Sequence, residues 1–389
     1  MSRLQPQPRG ISQAAPQTGG DHTARPAAPA EASAGFVLPV LALALGHMLS
    51  NGLRTLPAIA ADRIQLDLGL TAEGLSSLTG SYHIAFALGQ IPVGVALDRF
   101  GVRPVSLALL TIVCIGTLLA ALAGGPAGFL VAQLVLGLGC AGALIAPMTL
   151  AAKRMSPARF GLWSGLIQAI GNTGMLLSAS PLAWLVEREG WRAGFWAALG
   201  FGVFALACTA LLVRDRPVPG SESRRSLLGD AAEVLRLVVS RRLRGAVVLA
   251  FCSFAIVACL RGLWGGPWLM GLLVAGGPDG LLGPLPVGWD LAMLTLFGLS
   301  IGVQPLIFAA TRALVPPEQT GKALSAVNLS FFLGAAVLQP GSGVVASRAG
   351  TGAALLFLAL VVLLCTLVFA WLGRPRAGSV GKAAAPRDR

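Results

Sequence analysis

Between residues 36 and 373 the chain is a succession of apolar stretches, each long enough to cross about 30 Å of hydrocarbon as a helix. Short loops bearing arginine and lysine part them. The stretches fall near 36–60, 72–97, 104–123, 127–150, 160–185, 192–213, 246–271, 289–311, 321–346 and 351–373, which predicts ten spans. In lipid a backbone satisfies its own hydrogen bonds only as helix or closed barrel, and runs of this length specify helix. Charged residues make up 12% of the chain and hydrophobic ones 55%, against about 25% charged in soluble domains. Such a chain cannot cover a water-facing surface. A soluble enzyme, a disordered protein and a coiled coil are excluded, and the expected fold class is an all-α polytopic membrane protein.

The net charge of +13 would suggest nucleic acid in a soluble protein. Here the loops explain it. With the N-terminus in the cytoplasm and the spans alternating, 23 of the 29 basic residues fall on the cytoplasmic side, as the positive-inside rule requires. Both termini are therefore expected in the cytoplasm of a cell whose inner membrane holds the chain. The expected partners are the lipid bilayer and a small solute, with no nucleic acid, and the chain is expected to act as a monomer. Residues 1–35, rich in Pro, Ala, Gln and Gly, are expected to be a disordered tail, and 374–389 a basic one. The polar segment 214–245 divides a six-helix bundle (36–213) from a bundle of about four helices (246–373). Within it, 227–243 has helical apolar spacing with Arg on the other face, suited to a membrane surface.

The two halves share a pattern. KRMSPARFGLWSGLIQAIGNTG (153–174) and TRALVPPEQTGKALSAVNLSFFLG (311–334) align Gly161 with Gly321, Gln168 with Asn328 and Gly174 with Gly334, all at an offset of 160. A duplicated half accounts for this. From Arg54 to its candidate counterpart Arg261 the offset is 207. The 47-residue difference equals about two helices and a turn, and the second half is expected to lack one helical hairpin. The segment 272–288 stands in its place, too rich in Gly and Pro for a regular span.

Between the second and third spans lies GVALDRFGVR (94–103), preceded by FALGQIP (86–92). This resembles the signature loop of the major facilitator superfamily, here Gly94, Asp98, Arg99, Gly101 and Arg103. Gly94 would let helices approach closely. Asp98 would accept from the N-terminal end of a neighbouring helix or pair with an Arg, fastening an inner gate. GNTGMLLSASP (171–181) with GWR (190–192), and GLWGGPWL (262–269), are similar to the family's fifth and seventh spans. The resemblance implies a two-bundle secondary transporter that rocks about a midplane site. The chain departs from the family in having Gln133 where a buried Arg is common, in lacking a second Asp-Arg loop, and in the shortened second half.

Charge inside a membrane is costly and marks candidate sites. Arg54, with Asn51 one turn before it, lies in the first span and Arg261 in the seventh. A similar arginine pair occurs in the superfamily's organophosphate antiporters, and two guanidiniums would hold a carboxylate, nitrate or phosphate in bidentate fashion. The alternative is that each Arg pairs with carbonyls or reaches the headgroups. Tyr82, Gln168, Trp264 and Asn328 are expected to line the same cavity, with Gln90 and Asn172 as further candidates, Gln90 and Asn328 serving equally well as interhelical glue. His47 and His83 fall inside spans, where a proton could be carried. The six cysteines lie in apolar runs without metal spacing. No metal, cofactor or catalytic constellation is expected, so the chain is not expected to be an enzyme. The expected function is secondary active transport of a small anionic solute by alternating access. The alternative, favoured by the missing hairpin, is a non-transporting relative: a sensor, a partner subunit or a decayed paralogue.

Overall fold

The structure, a computed structural model, describes residues 36–177, 181–214, 227–259 and 303–372, and every regular element among them is helical. In the first half these are α1 (Val37–Ile59), α2 (Ala61–Leu68), α3 (Ala72–Arg99), α4 (Val102–Ala121), α5 (Pro126–Cys140), α6 (Ile145–Arg154), α7 (Pro157–Leu177), α8 (Ala183–Glu189) and α9 (Trp191–Leu212). After α10 (Leu227–Val238) come α11 (Arg244–Cys259), α12 (Val303–Leu314) and α13 (Thr320–Leu372). Local chemistry sets several boundaries. Thr71 caps α3 by accepting from the Gly74 N–H at 3.0 Å. Gly101, at φ +91°, makes the turn from α3 into α4. Gly350, at φ +84°, breaks α13 into two helices.

Among the described residues, seven helices are long and apolar enough to cross a membrane: 37–59, 77–99, 102–121, 126–154, 191–212, 320–350 and 352–372. The fourth joins α5 and α6 across a turn. The helix 352–372 has a mean hydropathy of 3.0, yet only 11% of it is buried, so Leu360, Leu363, Leu364 and Leu367 face outward. That surface suits acyl chains. The expected linker helix is shorter than 227–243, because α10 ends at Val238 and a turn leads into α11. Arg261, Trp264, the segment 272–288 and both expected tails lie outside the described residues. The division into six and four spans turns in part on that same region.

In the first bundle α1 packs on α7 and α9, α5 on α3 and α4, and α4 on α9. In the second, α11 packs along α13. The bundles meet where α3 touches α13 and α7 touches α12. The duplication is visible in their packing. A Cβ on Gly174 of α7 would lie 2.0 Å from the Met48 carbonyl oxygen of α1, and one on Gly334 of α13 would lie 1.8 Å from that of Phe251 of α11. Both positions need a bare Cα for backbones to meet. Met48 and Gly174 are 126 residues apart, Phe251 and Gly334 only 83, so the second half makes the same journey on a shorter chain.

Candidate functional site: a central cavity above a charged latch

Where the bundles meet there is a cavity of about 300 Å³. α1 contributes His47, Ser50, Asn51 and Arg54 on successive turns, and α7 contributes Gln168 and Asn172. The facing wall is Phe254 and Val257 of α11 with Phe331 and Phe332 of α13, joined by Gln304 of α12 and Asn328 of α13. Polar groups and a cluster of phenylalanines, with Phe86 of α3 among them, thus share the lining.

Arg54 carries the fixed positive charge. Its guanidinium carbon lies 5.2 Å from the ring centre of Phe86, 5.3 Å from Phe332 and 5.9 Å from Tyr82. Ring quadrupoles stabilise a cation in such a cage. Its Nε is buried without a hydrogen-bond partner among the described residues. His47 is buried, shares a 3.0 Å hydrogen bond between its Nε2 and the Gln168 side-chain oxygen, and lies against the bare Cα of Gly171. Asn328 donates to Gln90 at 2.8 Å, and Gln90 donates to the Ala141 carbonyl at 2.8 Å, so an amide chain ties α13 to α3 and the turn after α5. Asn328 thus lines the cavity and also joins helices.

Of the expected site residues, the structure brings His47, Asn51, Arg54, Gln168 and Asn328 together. Tyr82 does not reach the cavity. It is buried behind the wall, with its hydroxyl 3.4 Å from that of Ser50 and its ring under Arg54. His83, one residue on, is exposed and bonds the Thr79 carbonyl of its own helix. Gln133 is buried in α5, its side-chain nitrogen has no partner among the described residues, and it is not among the residues that line the cavity. The sequence reasoning missed Gln304, an amide in the apolar run VQPLIFAA. It is 7% exposed, and its side-chain nitrogen has no partner among the described residues. An amide inside an apolar span was the available signal.

The Gly-Asp-Arg loop builds a second feature. A Cβ on Gly94 would lie 2.6 Å from the Ser325 hydroxyl, so α3 and α13 touch there. This brings Asp98 to the first turn of α13, where it accepts the main-chain N–H groups of Gly321 at 3.0 Å and Lys322 at 2.8 Å. A carboxylate at a helix N-terminus meets both free donors and the dipole. Its cation is Lys153 of α6, at 3.1 Å, and not an arginine. The Lys322 ammonium, in turn, reaches Asp230 and Glu233 of α10, each at 2.9 Å, and Arg99 stands 3.9 Å from Asp230. The Arg312 Nε donates to the Ala152 carbonyl at 2.8 Å, a further bond between the bundles. Arg103 donates to the Ala210 carbonyl at 3.0 Å and ties α4 to α9. The loop's glycines and charges thus fasten both bundles and the linker helix at one end of the molecule.

The profile of the Major Facilitator Superfamily matches residues 41–276. The chain is 24% identical over 236 residues to the methylenomycin A resistance protein of Bacillus subtilis, covering 59% of this chain and 47% of that protein. It is 30% identical over 182 residues to the tetracenomycin C resistance and export protein of Streptomyces glaucescens, covering 45% of this chain and 33% of that one. The chain thus spans less than half the length of either relative. The crystal structure of the E. coli fucose:proton symporter FucP superposes with a TM-score of 0.66 at 15% identity, over 88% of this chain and all of that one, a likeness of fold.

Proposed function

Since this chain belongs to the Major Facilitator Superfamily, we propose that it carries a small anionic solute across a membrane by alternating access between its two bundles. One observation carries the reading: Arg54 stands in a cavity between the bundles, and no carboxylate is among the described residues that line it. A fixed cation without a counter-charge in low dielectric calls for an anion. The latch supports the motion. Its cross-bundle bonds, Asp98 of α3 to the first turn of α13 and Arg312 of α12 to the Ala152 carbonyl of α6, hold only while that end is closed. We place that end, the linker and both termini in the cytoplasm of an inner-membrane protein, because the basic residues gather there. A proton travelling with the solute would be held at His47, the histidine in the cavity.

The test is flux in proteoliposomes holding the full chain, with labelled small carboxylates, sulfonates and phosphates. Saturable uptake is expected, lost in Arg54→Gln. Absence of flux for every solute in protein that is folded by its melting curve would end the reading.

A further inference from the structure

Resting on that reading of the same cavity, we infer that its ligand is a small amphipathic organic monoanion. The carboxylate or sulfonate head is drawn to Arg54 and Gln304, and the apolar, preferably aromatic, body lies on the phenylalanine wall. Neither an inorganic anion nor a neutral polyol fits as well.

Three observations set this chemistry. The first is the charge count. Arg54 is the one lysine or arginine among the described residues lining the cavity, and none of them is Asp or Glu. One negative charge balances it, and a doubly charged phosphate ester would bring an excess into low dielectric.

The second is the pair of idle donors. The Arg54 Nε and the Gln304 Nε2 are both buried without partners among the described residues, and an unsatisfied buried donor is costly. The rings of Phe86, Phe332 and Tyr82 surround the guanidinium at 5.2 to 5.9 Å. They supply no acceptor, so the in-plane N–H groups remain for the oxygens of a ligand.

The third is the mixed lining. The first bundle sets His47, Asn51, Arg54 and Gln168 beside Phe86 and Leu144, and the second sets Gln304 and Asn328 beside Phe254, Val257, Phe331 and Phe332. A ligand that spans the cavity therefore needs a polar head and an apolar body. Nitrate would leave the phenylalanines facing water, and a sugar would leave Arg54 unpaired. A volume of about 300 Å³ stands at the low end of the ~300–1,000 Å³ of small-molecule sites, which limits the body to about one ring.

The experiment is calorimetric titration of the purified, detergent-solubilised full chain with benzoate, benzamide, nitrate and inorganic phosphate. Benzoate should bind about tenfold or more tighter than benzamide, its neutral counterpart, because only the carboxylate makes charge-assisted bonds. It should also exceed nitrate and phosphate. Arg54→Gln should abolish the preference of benzoate over benzamide, while Phe331→Leu should weaken both. Arg54→Lys keeps the charge and should retain some preference for benzoate, so a folding defect in Arg54→Gln does not decide the matter. Equal binding of benzoate and benzamide, a preference for nitrate or phosphate, or no benzoate binding by folded wild-type protein would overturn the inference. Flux is measured separately. Benzoate binding without flux ends the transport reading and keeps this one, and flux of another solute without benzoate binding does the reverse.

Discussion

Asp98 accepts the main-chain N–H of Lys322 at 2.8 Å, so a carboxylate of the first bundle caps the first turn of a helix in the second. The side chain of the same lysine is held by Asp230 and Glu233 of the linker helix. Lys322 is thus fastened at its backbone by one segment and at its ammonium by another.

Asp98→Asn should loosen this end. Hydrogen bonds to a charged group contribute roughly 1.5–3 kcal/mol each, and losing the charge weakens two of them along with the Lys153 pair. Ser325, buried where α13 meets Gly94, reports the opening. In a chain freed of its six native cysteines, Ser325→Cys should react with water-soluble thiol reagents about tenfold faster or more when Asp98→Asn is added. An unchanged rate would remove Asp98 from the latch.

The glycine contacts predict a matched pair of defects. Gly174→Ala and Gly334→Ala each drive a Cβ into a main-chain oxygen, at 2.0 and 1.8 Å. Backbone cannot step aside as a side chain does, so each should cost about 1–3 kcal/mol, read as a lowered melting temperature in detergent. Gly161→Ala, with nothing within 4 Å of its new Cβ, should melt within a degree or two of wild type.

Outside the spans, Asp67 of α2 accepts from Trp191 Nε1 at 2.9 Å and from Arg192. The Trp191 hydrogen bond first, then Arg192, holds its carboxyl below the usual carboxylate range. A depressed carboxyl contributes stability above its unfolded value of about 3.9, and that contribution is lost as pH falls through the lower folded value. Asp67→Asn should therefore melt below wild type at pH 7, and the gap should narrow on acidification below pH 4. A constant gap would show that the charge plays no part.

If Gly174 and Gly334 are equivalent, so are Met48 and Phe251, and the offset of 203 maps Arg54 onto Val257, a residue of the cavity wall. Val257→Arg would then set a second cation against the first. The variant should melt lower than wild type without ligand and recover in sulfate, since a dianion can balance two guanidiniums. Indifference to sulfate would mean that position 257 is not the mate of Arg54.

The spans and the loop were legible because each rests on a local pattern: apolar length for α1, α3, α4 and α9, and the Gly-Asp-Arg spacing for the contact at Asp98. The duplicated glycines were legible too, as a fixed offset. What the chain does not spell out is the register of one helix against another. Arg261 drew attention as an arginine inside the seventh span and lies outside the described residues, while the offset of the Gly174 and Gly334 contacts sets Val257 at the place of Arg54. Tyr82 and His83 are adjacent in sequence, and only the rotation of α3 decides that one supports Arg54 while the other faces outward. The acids of α10 were hidden by the many arginines around them. Asp230 and Glu233 matter through Lys322, about ninety residues away.

The lipid-facing segment 352–372 has 21 residues, which rise about 31 Å as a helix, close to the thickness of a hydrocarbon layer. It has no length to spare, so tilting in a thick bilayer would sink an end. Through Gly350 it is continuous with the helix whose first turn Asp98 caps. Under the proposed alternating access, acyl-chain length then becomes a mechanical input to the latch. Thicker membranes should hold the segment upright and thinner ones let it lean, so that lipid composition alone shifts how long this end stays shut.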